Sequence, residues 1–404
     1  MNKKGFFFMK IIDSHVHIGL NAFRNSDEKI LSYDLENSFE EYYSLFQMSG
    51  LSMACILPIP SMEWDSYKSN EYLLKSWELS KGSFLPICRI DKQLGYNLNN
   101  GFYGAKLHKV YEKYKKNDLL EYLRLLQLYD KPLIIHAAFK DKPGQVKNIL
   151  KVAPNLKIIL AHMGRGHLYT SEGVIENAQA LRDYENIYFE TSTVGNSSTI
   201  EKVCEIIGSK RMMFGSDYPF GRVYAPNQYK YSDEFNVINN AQITENEKQD
   251  IFFNTAYHVF FEAQQRRKIY LTHYQKKYKA DIENLFKSLS KQDEDFLAIR
   301  NKMSIIRACM RKESHIYAIF YKDEFVGFLR ESGRPRGYSL LEELVIYPRF
   351  RGKGIASEAV QLFKKLFPLC LAKTNTKNNA MNYILRKNNF KKISGERILN
   401  WKFK

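Results

Sequence analysis

Ile11-Ile12-Asp13-Ser14-His15-Val16-His17 is a short apolar run that delivers two histidines one residue apart. On a strand, positions i and i+2 face the same side, so His15 and His17 aim both imidazoles at one point. Two imidazoles so placed form a chelate. Outward from this stretch, to about residue 264, short apolar runs alternate with longer amphipathic ones. Strands are expected at 10–13, 52–58, 84–89, 102–108, 132–136, 156–162, 186–191 and 211–217, with helices between most of them, for example 119–128, 144–152 and 173–182. Eight strands alternating with helices is the layout of a (β/α)8 TIM barrel. The polar residues then fall in one place. His15 and His17 follow strand one, Lys106 and His108 close strand four, His136 ends strand five, His162 strand six and Asp217 strand eight. In a barrel these ends converge on the C-terminal rim, where such folds keep their sites.

At 404 residues the chain is long for a single core, and two domains are expected. The five cysteines, Cys55, Cys88, Cys204, Cys309 and Cys370, form no Cys-x-x-Cys pair, which suits a reduced, cytoplasmic protein. The basic, Phe-rich opening stops at Lys10 without a small-residue cleavage site, so no secretory leader is expected. No window approaches the roughly 18 to 20 apolar residues a membrane span needs. From Lys268 onward there are 29 Lys and Arg against 13 Asp and Glu, a net +16, which leaves +1 of the total +17 for the first 267 residues. This charge step, beside Gln264-Gln265-Arg266-Arg267-Lys268, marks a boundary between domains 1–266 and 267–404. A basic second domain calls for an anionic ligand.

Neutral imidazoles with one carboxylate suit a borderline divalent ion such as zinc, and three or four protein ligands leave room for water. Such an ion lowers the pKa of water and polarises a carbonyl, while a nearby carboxylate or imidazole moves protons. Asp13-Ser14-His15-Val16-His17, Gly104-Ala105-Lys106-Leu107-His108, Ile134-Ile135-His136, Leu160-Ala161-His162-Met163-Gly164 and Phe214-Gly215-Ser216-Asp217-Tyr218-Pro219 resemble, in order, the signatures of the amidohydrolase superfamily. The branch is the one that includes aminocarboxymuconate semialdehyde decarboxylase-like enzymes. The resemblance covers about residues 9–264 and implies that His15, His17, His136 and Asp217 bind metal, with zinc expected and manganese, iron or nickel open. It makes His162 a supporting or catalytic histidine and lets Asp217 shuttle the proton of water. In two-metal members a carboxylated lysine bridges the ions where Lys106 stands, so one or two metals remain possible. Arg165 and His167 are candidates to hold a substrate carboxylate. The branch contains hydrolases of amides, esters and lactones as well as decarboxylases, and hydrolysis is the expectation.

The second domain reads as an α+β fold. Strands are expected at 269–273, 316–321, 325–330 and 340–347, the middle two joined by a turn at Lys322-Asp323-Glu324, and helices at 280–289 and 357–366. Arg351-Gly352-Lys353-Gly354-Ile355-Ala356 lies between strand and helix. A Gly-rich basic turn into a helix N-terminus presents unpaired N–H groups and is a phosphate cradle. The stretch matches an Arg/Gln-x-x-Gly-x-Gly/Ala signature and resembles the GNAT family of acetyl-CoA-dependent N-acyltransferases. The resemblance implies that amides from Arg351 to Ala356 hold the CoA pyrophosphate, that the preceding strand splays to admit the pantetheine, and that Asn378 begins the next helix. The tyrosine that often protonates the leaving thiolate is replaced by Leu385, with Asn389 at a usual glycine and Tyr383 nearby but about 200° away around the helix. Glu343 is the candidate base.

These readings combine as a bifunctional enzyme, a metal-dependent hydrolase of a small metabolite joined to an acetyl-CoA-dependent N-acetyltransferase. Two alternatives stand beside it: a zinc-dependent decarboxylase in the barrel, or a second domain that binds acetyl-CoA or nucleic acid as a sensor without chemistry. Because the phosphates of CoA account for the basic charge, the expected partners are small-molecule substrates and acetyl-CoA, with neither nucleic acid nor membrane.

Overall fold

The computed structural model describes residues 10–24, 35–61, 63–108, 116–136, 142–166, 170–224, 229–261, 268–274, 278–297, 314–322, 324–334, 338–367, 369–396 and 398–403. The chain divides into two compact units, Met1–Asp91 with Gly101–Gln264, and Lys92–Asn100 with Gln265–Lys404. The 266/267 boundary expected from the sequence lies outside the described residues, and the short segment Lys92–Asn100 packs with the second unit.

The first unit is a parallel eight-stranded sheet in sequential order: β1 (Ile12–Ile18), β2 (Met53–Pro58), β3 (Phe84–Arg89), β4 (Gly104–His108), β5 (Leu133–His136), β6 (Ile158–Leu160), β7 (Ile187–Glu190) and β8 (Met212–Met213). Every residue of β1, β3 and β4 is buried. Both faces of a parallel sheet are covered, so such strands read as continuous apolar runs. Ile12, Leu57, Leu85, Ile134, Ile159 and Met213 pack into one core cluster with Ala256, Val259 and Phe260 of the helix Thr255–Phe261. The ring closes where Ser14 N–H donates to Phe214 O (2.9 Å), Asp217 N–H to His15 O (2.8 Å) and His17 N–H to Tyr218 O (2.7 Å).

Three strands differ from expectation, among them β6, which ends at Leu160 and leaves His162 in the turn that follows. β1 runs on to Ile18, so both histidines sit on the strand itself. β8 ends at Met213, because Phe214 to Asp217 leaves the sheet to reach across to β1. Helix starts follow local chemistry: Ser38 accepts from Glu41 N–H, Asp65 from Lys68 N–H, and Thr244 forms a capping box with Glu247.

The second unit is a seven-stranded sheet in the order β14-β15-β13-β12-β11-β10-β9. Its strands are β9 (Ile269–His273), β10 (Ser314–Tyr321), β11 (Glu324–Arg334), β12 (Tyr338–Ile346), β13 (Cys370–Asn375), β14 (Lys391–Ser394) and β15 (Ile398–Lys402). Its ladders are antiparallel except β12 with β13, which are parallel. The helix Ile355–Leu366 buries Ile355, Ala359, Val360, Leu362, Phe363 and Leu366, an i, i+4, i+7 stripe with its intervening neighbours. Cys55, Cys88, Cys204 and Cys370 are free thiols, and Cys309 lies outside the described residues. Among the described residues no helix is long and apolar enough to cross a membrane.

Candidate active sites in the two units

On the barrel rim, His15 Nε2 and His17 Nε2 lie 3.2 Å apart. His17 Nδ1 is 2.7 Å from the Pro58 carbonyl. A carbonyl only accepts, so the His17 proton is on Nδ1 and Nε2 keeps its lone pair. His15 Nδ1 is 2.8 Å from Glu190 Oε2, which already accepts from His162 N–H (3.1 Å) and the Ser192 hydroxyl (2.9 Å). Glu190 is therefore an acceptor toward His15 as well, and His15 Nε2 is likewise proton-free. Burial pushes the pKa of both histidines down and keeps them neutral. Asp217 Oδ1 stands 3.5 Å from each Nε2. Three lone-pair donors thus face one another, none carrying a proton of its own, which calls for a cation. Donors held at about 2.0–2.1 Å around a tetrahedral zinc stand about 3.3–3.4 Å apart, close to the spacings here. The donor set fits a divalent ion. Lys106, buried beside it, places Nζ 2.8 Å from His15 Nε2.

His136, the fourth ligand that the resemblance implies, is held by its histidine neighbours. Its Nδ1 meets His162 Nε2 at 3.1 Å, and its ring stacks on His108 with centroids 4.3 Å apart. Among the described residues, the close donor groups here are His15, His17 and Asp217, and His15, His162 and Glu190. His162 Nδ1 lies 2.8 Å from Ser192 Oγ, and its Nε2 is 3.8 Å from Asp217 Oδ2. The Arg165 guanidinium donates to Thr193 Oγ1 at 2.7 and 3.1 Å, and after burial its charge is the next cause lowering the His162 pKa. His167 lies outside the described residues.

The backbone is strained where it delivers these groups. His162, Met163, Thr193 and Asp217 all have φ between 51° and 58°, a region non-glycine residues seldom occupy. A Cβ on Gly215 would stand 2.2 Å from Glu190 Oε1 and 2.9 Å from His15 Cβ, so only glycine lets this segment cross the buried carboxylate. Glu190 and Asp13 were not singled out from the sequence. Burial pushes the Glu190 pKa up, opposed by the His162 and Ser192 N–H groups. Asp13 Oδ1 accepts from His15 N–H (3.2 Å) and Ser216 N–H (3.0 Å), Oδ2 accepts from Tyr231 Oη–H (2.7 Å), and burial pushes its pKa up to about 7. It ties the strand that carries the histidines to the segment that carries Asp217. The available signal was positional: Glu190 ends β7 as His136 ends β5.

In the second unit, β12 and β13 pair only from Ser339 to Leu341 against Cys370 to Ala372, then part. Beside the gap lies a cavity of about 700 Å³ whose lining includes Glu343, Arg351, Gly352, Gly354, Asn378 and Tyr383. Ile355 and Ala356 line it too, while Lys353 lies over the Phe350 ring at 5.0 Å. Gly352 and Gly354 both take φ 78°, and Gly354 opens the helix Ile355–Leu366 with no side-chain hydrogen bond to its first N–H groups. The Arg351 guanidinium is engaged with Asp293 Oδ1 (2.8 Å) and Ile346 O (3.2 Å). Asn378 caps the helix Asn379–Lys387, accepting from Met381 N–H. On that helix Leu385 is fully buried and Tyr383 is 64% exposed, bordering the cavity. A register shift in β12 leaves Glu342 unpaired between Leu341 and Glu343, and both carboxylates reach Arg330, Glu343 at 2.7 Å from its Nε.

A family model described as amidohydrolase matches residues 89–261, and one described as acetyltransferase (GNAT) family matches residues 279–380. The chain joins an amidohydrolase domain to a GNAT acetyltransferase domain. No curated protein matches it. Similar solved structures include a probable 2-pyrone-4,6-dicarboxylic acid hydrolase from Acinetobacter baumannii with citric acid bound, 14% identical over 62% of this chain and 99% of that one, with a TM-score of 0.51. The IDCase of Metarhizium anisopliae is 12% identical over 64% and 98%, with a TM-score of 0.51. An amidohydrolase from Burkholderia multivorans with bound zinc is 15% identical over 62% and 99%, with a TM-score of 0.50. At these identities the likeness is one of fold, the barrel of the amidohydrolase unit.

Proposed function

We propose that the chain is a bifunctional enzyme: a metal-dependent hydrolase of an amide, ester or lactone bond in a small metabolite, and an acetyl-CoA-dependent N-acetyltransferase. The observation that carries the first half is the triplet of proton-free donors, His15 Nε2, His17 Nε2 and Asp217 Oδ1, within 3.2 to 3.5 Å of one another. Two imidazoles and a carboxylate suit zinc, and the Burkholderia multivorans structure was crystallised with zinc bound. A divalent ion there supplies Lewis acidity toward a substrate carbonyl and acidifies water. Asp217 takes the proton of the attacking water, and its strained backbone holds the carboxylate toward the two histidines. His162, whose Nδ1–H donates to Ser192 Oγ, turns its Nε2 lone pair toward His136 and Asp217 and serves as a supporting proton acceptor. Arg165 binds a carboxylate of the substrate.

In the second half, the amides of Gly352 to Ala356 cradle the CoA pyrophosphate, and the gap between β12 and β13 admits the pantetheine and thioester. Arg351 fixes the loop to Asp293 instead of spending its charge on the ligand. Glu343 receives the proton of the attacking amine, directly or through water, with Arg330 setting where its carboxylate points.

The test is the metal content of the purified chain, by mass spectrometry, beside a His15→Ala, His17→Ala variant. A stoichiometric ion lost in the variant supports the barrel reading. No ion in either protein, even after incubation with zinc, refutes it. For the second half, release of CoA thiol on mixing acetyl-CoA with amines is the expected result, and CoA binding without turnover would make the domain a sensor.

A further inference from the structure

Lys106 is 2% exposed and among the largest fully enclosed side chains of the molecule. It lies on β4, and its Nζ is 2.8 Å from His15 Nε2. Because His15 Nδ1 gives its proton to Glu190, Nε2 offers only a lone pair, and the ammonium must be the donor. A lone pair committed to an ammonium is not free to bind a metal. The three-donor set needs a positive charge, and Lys106 already brings one to it.

We infer that Lys106 is a built-in competitor for the divalent cation. Its ammonium donates to His15 Nε2 when no ion is present, and it gives that atom up when an ion binds. The inference rests on the metal reading of the same site. A lysine suits the task, because its compact charge sits on a flexible four-carbon stem that withdraws by rotation without moving the strand. The cost falls on metal affinity: an arriving ion must break a charge-assisted hydrogen bond and then tolerate a neighbouring cation.

The experiment is zinc titration of the metal-free full chain against a competing chromogenic chelator, for wild type, Lys106→Met and Lys106→Gln. Removing the charge is expected to tighten zinc binding about 10- to 100-fold, the factor that corresponds to one hydrogen bond to a charged group. Zinc is also expected to raise the thermal midpoint of the variants more than that of wild type. Should Lys106→Met fail to fold, Lys106→Gln carries the same expectation. Equal or weaker affinity in the folded variant overturns the inference, as does a fall from two ions per chain to one, which would make a carboxylated Lys106 a ligand. If wild type binds zinc and the variants gain nothing, the lysine inference alone falls. If none of the three takes up zinc, the metal reading falls with it.

Discussion

Replacing Glu190 with glutamine is the most informative single change in the barrel, because it alters charge and hydrogen bonding while barely altering volume. The carboxylate is fully buried and accepts four hydrogen bonds: His15 Nδ1–H (2.8 Å), Ser192 Oγ–H (2.9 Å) and His162 N–H (3.1 Å) on Oε2, and Ser192 N–H (2.5 Å) on Oε1. A glutamine amide has one oxygen. In its better orientation that oxygen keeps the three contacts of Oε2, and the amide nitrogen confronts the Ser192 N–H, donor against donor. One charge-assisted bond is lost and one buried donor is stranded, each costing about 1.5 to 3 kcal/mol. Relief of carboxylate desolvation, which pushes the Glu190 pKa up, returns part of this. The expected net loss is about 2 to 4 kcal/mol in the metal-free protein. Urea unfolding followed by tryptophan fluorescence reads it, since Trp64 and Trp77 lie in the first unit and Trp401 in the second. Zinc affinity should fall about 10- to 100-fold, because Glu190 fixes the tautomer and direction of His15. A loss of under about 0.5 kcal/mol with unchanged zinc affinity would refute the view that this carboxylate organises the site.

Three further expectations concern separate parts of the chain. Asp217→Asn should abolish barrel turnover while leaving CoA affinity intact; surviving hydrolysis would remove Asp217 from the mechanism. Gly354→Val places a branched side chain at φ 78° at the mouth of the cradle. Nothing lies within 4 Å of its Cβ, so folding should suffer only the backbone strain of about 1 to 3 kcal/mol. CoA binding by calorimetry should weaken at least about tenfold, and unchanged affinity would dismiss the phosphate assignment. Glu234 gives a pH signature. Burial raises its carboxyl from 4.5 to about 8. Below about pH 4.5 both folded and unfolded forms are protonated and its contribution is complete; as pH rises toward about 8 the unfolded chain ionises first and stability is lost, by at most about 1.4 kcal/mol per pH unit. Glu234→Gln lacks this loss, so the variant should gain on wild type between about pH 5 and pH 8 in urea midpoints. Parallel profiles would show that the carboxyl is not held neutral.

The (β/α)8 layout was legible because strands covered on both faces announce themselves as apolar runs such as Leu133-Ile134-Ile135. His15 and His17 were legible as a pair because strand period fixes their common side, whatever the rest of the fold does. Asp217 was expected on the same rim from its strand; what no local pattern carries is its route there, since the chain leaves β8 at Phe214 and hydrogen-bonds across to residues 14 to 17. Glu190 was hidden for the same reason. An acid at a strand end looks like a solvated charge until Gly215 and His162 close over it. The direction of the His136 ring was equally unreadable, since stacking on His108 sets it. In the second unit the glycines of the cradle were legible from backbone need, but the helical phase was not: Leu385, aligned with the position of the usual acid, is buried, and Tyr383 is the one beside the cavity. Nor was the engagement of Arg351 with Asp293, 58 residues away, legible.

Those failures share a cause that bears on the chemistry. Residue type tells which side chains can donate lone pairs, but the protonation of each one depends on the partner behind it. His17 is a lone-pair donor toward the rim because Pro58 O stands at its other nitrogen, and His15 because Glu190 does. Exchange Glu190 for a donor and His15 would turn a proton inward, and the site would no longer call for a cation. The metal reading therefore rests on Pro58 and Glu190 as much as on the histidines, and those two carry no mark in the sequence that separates them from any other strand end.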